Sequence, residues 1–158
     1  FSPQTAYQMT SILEGAIQSG TGKRLRDLNL QIAGKTGTTN NNTDTWFIGF
    51  TSNLVVGVFV GYDSPKKLGK YETGSKTALP IFKEFIKNAV NIYEARPFKI
   101  SKGIKMMVID AETGEKADFG SNKTIIESYK KEKFENQTFI SNDKYKFDIY
   151  KKNILKFY

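Results

Sequence analysis

Residues 45–62 read TWFIGFTSNLVVGVFVGY. Two runs rich in Val, Ile, Phe and Trp are parted only by Ser52 and Asn53 in a short polar break. That pattern predicts an antiparallel hairpin. Just upstream, residues 31–39 (QIAGKTGTT) read as a further strand, joined to the hairpin by the polar loop 40–44 (NNNTD). Three successive strands with short links make a β-meander. The last of them, LVVGVFVGYD, is apolar at consecutive positions, which predicts burial on both faces.

Helices flank the meander. Ser2 is placed to cap a first helix and Pro3 suits its first position. Ala6, Met9, Leu13, Ala16 and Ile17 recur at helical spacing, and Gly20 is placed to end the helix. After the polar loop DSPKKLGKYETGSK, residues 77–95 (TALPIFKEFIKNAVNIYEA) read as a second helix closed by Pro97. Its apolar face holds Leu79, Phe82, Phe85, Ile86, Ala89, Val90 and Tyr93, and it should lie across the sheet.

After Pro97 the texture changes. GIKMMVIDAETGEKADF reads as strand, turn and strand, with Thr113 and Gly114 in the turn. KTIIESYKKEKFENQTF reads as a strand or a short helix, and residues 141–158 alternate lysine with aromatics. The expected organisation is an α+β unit over residues 1–96 and a small β-rich appendage or partly disordered extension over 97–158. In the first unit a three-stranded antiparallel sheet, part of a larger sheet, is packed by an N-terminal and a C-terminal helix.

Composition excludes several chemistries. The 158 residues include no cysteine and no histidine. Disulfides, thiolate or imidazole metal ligands, a cysteine nucleophile and a Ser-His-Asp triad are therefore absent. No metal or cofactor site is expected. The net charge is +8, divided evenly: 11 basic against 7 acidic residues in 1–96, and 13 against 9 in 97–158. Evenly spread lysines without a recognition motif read as a solvated surface, not a nucleic-acid footprint. No apolar window of about 18 residues exists to form a transmembrane helix. The chain opens at Phe1, inside what reads as the start of a helix, as expected of a piece of a longer protein.

The most informative residues are AGKTGTT, and they admit two readings. Gly34-Lys35-Thr36 is how a phosphate-binding loop ends, but that loop needs a first glycine at position 29, which is Asn29. It must also open a helix, and here strands follow. The second reading is Lys35-Thr36-Gly37 on a strand beside a serine nucleophile. A lysine ammonium at the edge of a cleft anchors anionic substrate and positions hydroxyls. Gly37 lets substrate approach closely. Thr36 and Thr38, two apart, share one face of a regular strand, where two hydroxyls grip a carboxylate. Lys35 then points to the other face unless its long side chain curls over.

The segment EGAIQSGTGKRLRDLNLQIAGKTGTTNNNTDTWFIGFTSNLVVGVFVGYD, followed by TGSKTALPIFKEF, resembles the C-terminal part of the transpeptidase domain of class A, bifunctional penicillin-binding proteins. Penicillin-recognising serine enzymes carry S-x-x-K, S-D-N and K-T-G motifs. The resemblance covers residues 3–95 well and extends more weakly through GIKMMVIDAETG. It implies that Lys35 is the third-motif lysine, that Thr36 and Thr38 receive the substrate carboxylate, and that Gly37 gives clearance. It further implies that the Thr38 backbone N–H is an oxyanion donor. Trp46 and Phe47 are expected under the sheet as core, and Thr39 and Asp44 have no assigned role. The implied partners are a peptidoglycan stem peptide or a β-lactam, together with the upstream part of the same domain. The implied location is the periplasmic side of the bacterial inner membrane, held by an anchor outside this chain, with a glycosyltransferase domain upstream.

One departure matters. No S-x-x-K precedes Lys35, and no S-x-N occurs anywhere. The matches downstream are Ser64/Lys67, Ser128/Lys131 and Ser141/Lys144, none opening a helix beside the Lys35 strand. The chain is expected to be a fragment of a D,D-transpeptidase, inactive alone, with a sheet edge open to self-association. The alternative is a non-catalytic binding or assembly module using the same sheet, with Lys35 guarding its edge.

Overall fold

A computed structural model describes residues 1–131. Helix α1 spans Pro3–Gln18. Ser2 Oγ accepts the Thr5 backbone N–H at 3.2 Å, and Pro3 occupies the first turn, where no N–H is missed. A 3-10 helix, Lys23–Leu28, follows and ends at Asn29 in the left-handed conformation. Strands β1 (Ala33–Thr38), β2 (Thr45–Phe50) and β3 (Val55–Val60) form an antiparallel sheet in the order β1-β2-β3. Helix α2 spans Ala78–Ala89, and strands β4 (Ile104–Asp110) and β5 (Thr124–Lys130) form a separate antiparallel pair. The expected α+β meander is therefore present.

The core lies between the sheet and α2. Period-2 alternation sends Phe47 of β2 to the α2 side, where its ring meets Phe82 edge-on at 4.6 Å. Leu79, Phe82 and Ile86 recur at helical spacing and are fully buried with Phe47, Ile17, Leu25 and Ile32. Each such side chain contributes about 1.5–3 kcal/mol by leaving water. Gly49 makes this close approach possible, because a Cβ there would stand 2.7 Å from both the Phe47 and Phe82 rings.

Several sequence expectations are corrected. β3 is not buried on both faces: its residues alternate between half-buried and exposed, because α2 covers only one side of the sheet. On the bare side stand Trp46 (41% exposed), Ile48 (51%), Phe59 (50%) and Val55 (72%). Trp46 is thus a neighbour of Phe59, at 4.8 Å between rings, and not core like Phe47. Helix α2 stops at Ala89, well before Pro97, and Phe85 and Tyr93 are exposed. Tight turns follow, in which both Ile92 and Tyr93 donate to the Ala89 carbonyl. On α1, Met9 faces solvent and only Ile17 is fully buried.

Beyond α2 the chain is laced back to the sheet. Asn53 Nδ2 donates to the Glu94 carbonyl at 2.8 Å, Ser52 Oγ accepts the Arg96 N–H, and Gln31 Oε1 accepts the Phe98 N–H at 2.7 Å. The β4–β5 pair then rests against α1, where Gln8 Nε2 donates to the Ser128 carbonyl and Gln4 Nε2 to the Lys102 carbonyl, both at 2.9 Å. The turn after β4 forms as read, with Asp110 Oδ1 accepting the N–H groups of Glu112 and Thr113 and Gly114 at φ +74°. Its partner strand is not residues 115–119, which make only an Ile109–Lys116 bridge. The partner is β5, whose Thr124, Ile125 and Ile126 suit a strand better than the polar, glycine-bounded GEKADFG.

Candidate functional site

Among the described residues β1 is an edge strand, paired through β2 alone, so one side of AGKTGT carries no strand partner there. The register sets Thr36 opposite Phe47 and Thr38 opposite Thr45, which puts both hydroxyls on the α2 side. Lys35 lies opposite Ile48 and Gly37 opposite Trp46, on the bare side. The expected division of the motif between two faces is present. The lysine nonetheless turns back to its neighbour: Lys35 Nζ donates to the Thr36 carbonyl at 3.1 Å and lies 3.5 Å from Thr36 Oγ1. A flexible four-carbon stem brings the ammonium round a strand edge where a short side chain would not reach.

Two flanking segments hold the threonines. Thr21 Oγ1, between the two glycines that follow α1, lies 2.8 Å from Thr36 Oγ1. The Gly74 N–H donates to Thr38 Oγ1 at 3.1 Å. Gly74 presses against the strands so closely that a Cβ would stand 2.6 Å from the Gly37 carbonyl oxygen and 2.5 Å from that of Trp46. No side chain fits there without moving backbone. The same loop is tied to β2 through Thr77, whose hydroxyl meets Thr45 Oγ1 at 2.6 Å. Gly37 faces the Trp46 side chain, whose Cβ would be 3.2 Å from a Cβ at 37.

Thr21 and Gly74 received no role from the sequence, although Gly-Thr-Gly and Thr-Gly-Ser stood within the segments that carried the resemblance. Their signal was a glycine beside a hydroxyl residue. Their target, in strand β1, is distant in the chain. Thr39 and Asp44 prove structural: Thr39 Oγ1 accepts the Asp44 N–H at 2.9 Å and closes the β1–β2 loop. Asn41 and Asn42 take positive φ in that loop, a conformation asparagine tolerates.

Among the described residues no candidate nucleophile joins this wall. Ser64 lies in the loop after β3, at the far side of the sheet from β1, and Ser128 is buried within β5. Neither opens a helix, and Ser141 lies outside the described residues. Gly34-Lys35-Thr36 lies inside a strand and opens no helix, so a phosphate-loop geometry does not arise. Among the described residues Lys35 makes no ion pair, and acidic side chains form no cluster of three or more that could hold a metal ion. Among the described residues the one strongly perturbed carboxyl is Glu14 on α1, pushed up to about 7 by burial.

Comparison with known proteins agrees with this geometry. Residues 1–87 match the penicillin binding protein transpeptidase domain. The chain is 52% identical over 124 residues to penicillin-binding protein 1A of Rickettsia prowazekii, covering 78% of this chain and 15% of that protein. It is 40% identical over 130 residues to penicillin-binding protein 1A of Pseudomonas aeruginosa, covering 82% of this chain and 16% of that protein. The fold matches a crystal structure of penicillin-binding protein 1A from Haemophilus influenzae with a TM-score of 0.69 and 31% identity, over 80% of this chain and 20% of that one. The chain thus spans about 15% of the length of the Rickettsia relative, and it belongs to the penicillin-binding protein transpeptidase family.

Proposed function

We propose that residues 1–96 form one wall of a serine-type D,D-transpeptidase site, and that residues 97–131 belong to an extension docked beside it. The observation that carries this is the Lys35–Thr38 strand, edge-exposed, with its ammonium folded over the strand beside Thr36. In the whole enzyme a serine from elsewhere in the domain attacks the carbonyl of the penultimate D-alanine, and the terminal D-alanine leaves. An amine of a neighbouring stem peptide then attacks the acyl-serine, forming the cross-link and freeing the serine. Lys35 and the Thr36 and Thr38 hydroxyls hold the substrate carboxylate, and the Thr38 N–H faces the developing oxyanion. A β-lactam stops the cycle at the acyl-enzyme.

This chain supplies no nucleophile to that scheme and is inactive alone. The bare apolar face of Trp46, Ile48 and Phe59 is where the rest of the domain packs. That face also accounts for β3 being apolar at consecutive positions although α2 covers only one side. The whole protein works on the periplasmic side of the inner membrane, with a glycosyltransferase domain elsewhere in it. No helix among the described residues is long and apolar enough to cross a membrane.

The test is the rate of acylation by a labelled penicillin in a longer protein containing this segment. Lys35→Ala should slow acylation by about 100-fold, on the scale of lost transition-state stabilisation. An unchanged rate contradicts the assignment.

A further inference from the structure

A basic groove lies between the 3-10 helix and the start of α2 and has no part in the chemistry above. One wall is the 3-10 helix, where Leu25 is fully buried and anchors the turn, so that its neighbours Lys23, Arg24 and Arg26 point outward. The opposite wall is the start of α2, with Leu79, Pro80 and Lys83. The cavity between them measures about 700 Å³. Lys83 is paired with Asp27, the only carboxylate that lines the groove among the described residues. No carboxylate pairs with Lys23, Arg24 or Arg26 among the described residues, and Arg24 spends one donor on the Ser75 carbonyl at 3.3 Å. Among the described residues three cations therefore converge uncompensated on a groove that carries apolar surface from the exposed Pro80.

We propose that this groove docks an extended acidic peptide segment of a partner protein, with an apolar residue between carboxylates. Charge complementarity selects the sign: three unpaired cations attract and orient an anionic chain. The two guanidinium groups select carboxylates, which they can grip in bidentate pairs. The apolar surface selects a peptide over a bare phosphate polymer, which has no side chain to lay against Pro80. The inference does not depend on the role assigned to Lys35.

The probe is a fluorescein-labelled peptide of sequence Glu-Glu-Leu-Glu-Glu, titrated with the full chain and followed by fluorescence anisotropy. Lys23→Glu with Arg26→Glu should weaken binding by about tenfold or more. Lys102→Glu with Lys123→Glu, which changes the net charge equally away from the groove, should change it less than about twofold. Replacing the peptide leucine by serine should weaken binding. Amide chemical shifts on the unmodified chain should move at residues 23–27 and 79–83, which keeps the test independent of how any variant folds. Equal losses from both charge-reversed pairs, or shifts spread evenly over the surface, overturn the proposal. So does groove-dependent binding of polyphosphate or of anionic phospholipid vesicles without binding of the peptide.

Discussion

Thr21 Oγ1 and Thr36 Oγ1 stand 2.8 Å apart, joining the turn after α1 to the centre of the K-T-G strand. Thr36 Oγ1 also lies 3.5 Å from Lys35 Nζ, so the pair sets the surroundings of the ammonium. Thr21→Val should lower stability by about 1 kcal/mol, the usual net worth of one hydrogen bond. Thr21→Ser, which keeps the hydroxyl, should recover most of that loss. Urea midpoints of the three proteins check this.

The contact between the sheet and α2 gives a contrast within β2 and β3. Gly49→Ala places a methyl 2.7 Å from the Phe47 and Phe82 rings in the closed core and should cost about 1–3 kcal/mol. Gly57→Ala meets only an Ile48 side-chain atom at 3.9 Å, on the bare face. It should be neutral or slightly stabilising, because alanine loses less backbone freedom than glycine on folding. Thermal unfolding of the two variants side by side distinguishes crowding from a general intolerance of change in the sheet.

Glu14 makes stability depend on pH in a direction opposite to that of a salt-bridged carboxylate. Burial raises its folded-state value from 4.5 to about 7, and its charge in turn helps raise the Tyr7 phenol. Between those two values the folded chain holds a proton that the unfolded chain has lost. This group's contribution therefore favours folding at low pH and is lost as pH rises through the window from 4.5 to about 7. Glu14→Gln should remove that part of the pH dependence and be more stable above about pH 7, by about 1 kcal/mol after allowance for partial exposure. Urea midpoints at about pH 5 and about pH 8 measure it.

The bare face of Trp46, Ile48 and Phe59 should bind a hydrophobic dye such as ANS in this chain and not in a longer protein that contains the rest of the domain. Replacing Ile48 and Phe59 by lysine should abolish the dye signal while leaving the Phe47–Phe82 core intact. Dye binding that survives those changes would place the apolar surface elsewhere.

Much of this was legible in the sequence, and the failures have physical causes. The strands and the core positions Leu79, Phe82 and Ile86 follow from the residue-type and period-3.6 patterns, which report local geometry directly, whereas Phe47 is expected in the core only together with its neighbour Trp46. Consecutive apolar residues in β3 and the Trp46-Phe47 pair were misread because periodicity says that two faces are apolar, not which layer covers each. The end of α2 was placed at Pro97 because proline is a strong stop signal, while the chain turned earlier at Ala89. In the site, Lys35, Thr36, Gly37 and Thr38 were named from one short motif. Thr21 and Gly74 were not, since their contacts span 15 and 36 residues of sequence and leave no local pattern.

The central claim is that this chain holds the K-T-G wall of an acyl-serine site without its serine. Intact mass after incubation with a reactive penicillin tests it most directly, with a longer protein carrying the upstream S-x-x-K helix run in parallel. The account predicts one penicilloyl adduct per molecule on the longer protein and none on this chain. An adduct on this chain would contradict it, and peptide mapping would then identify Ser64, Ser128 or Ser141 as the residue acylated.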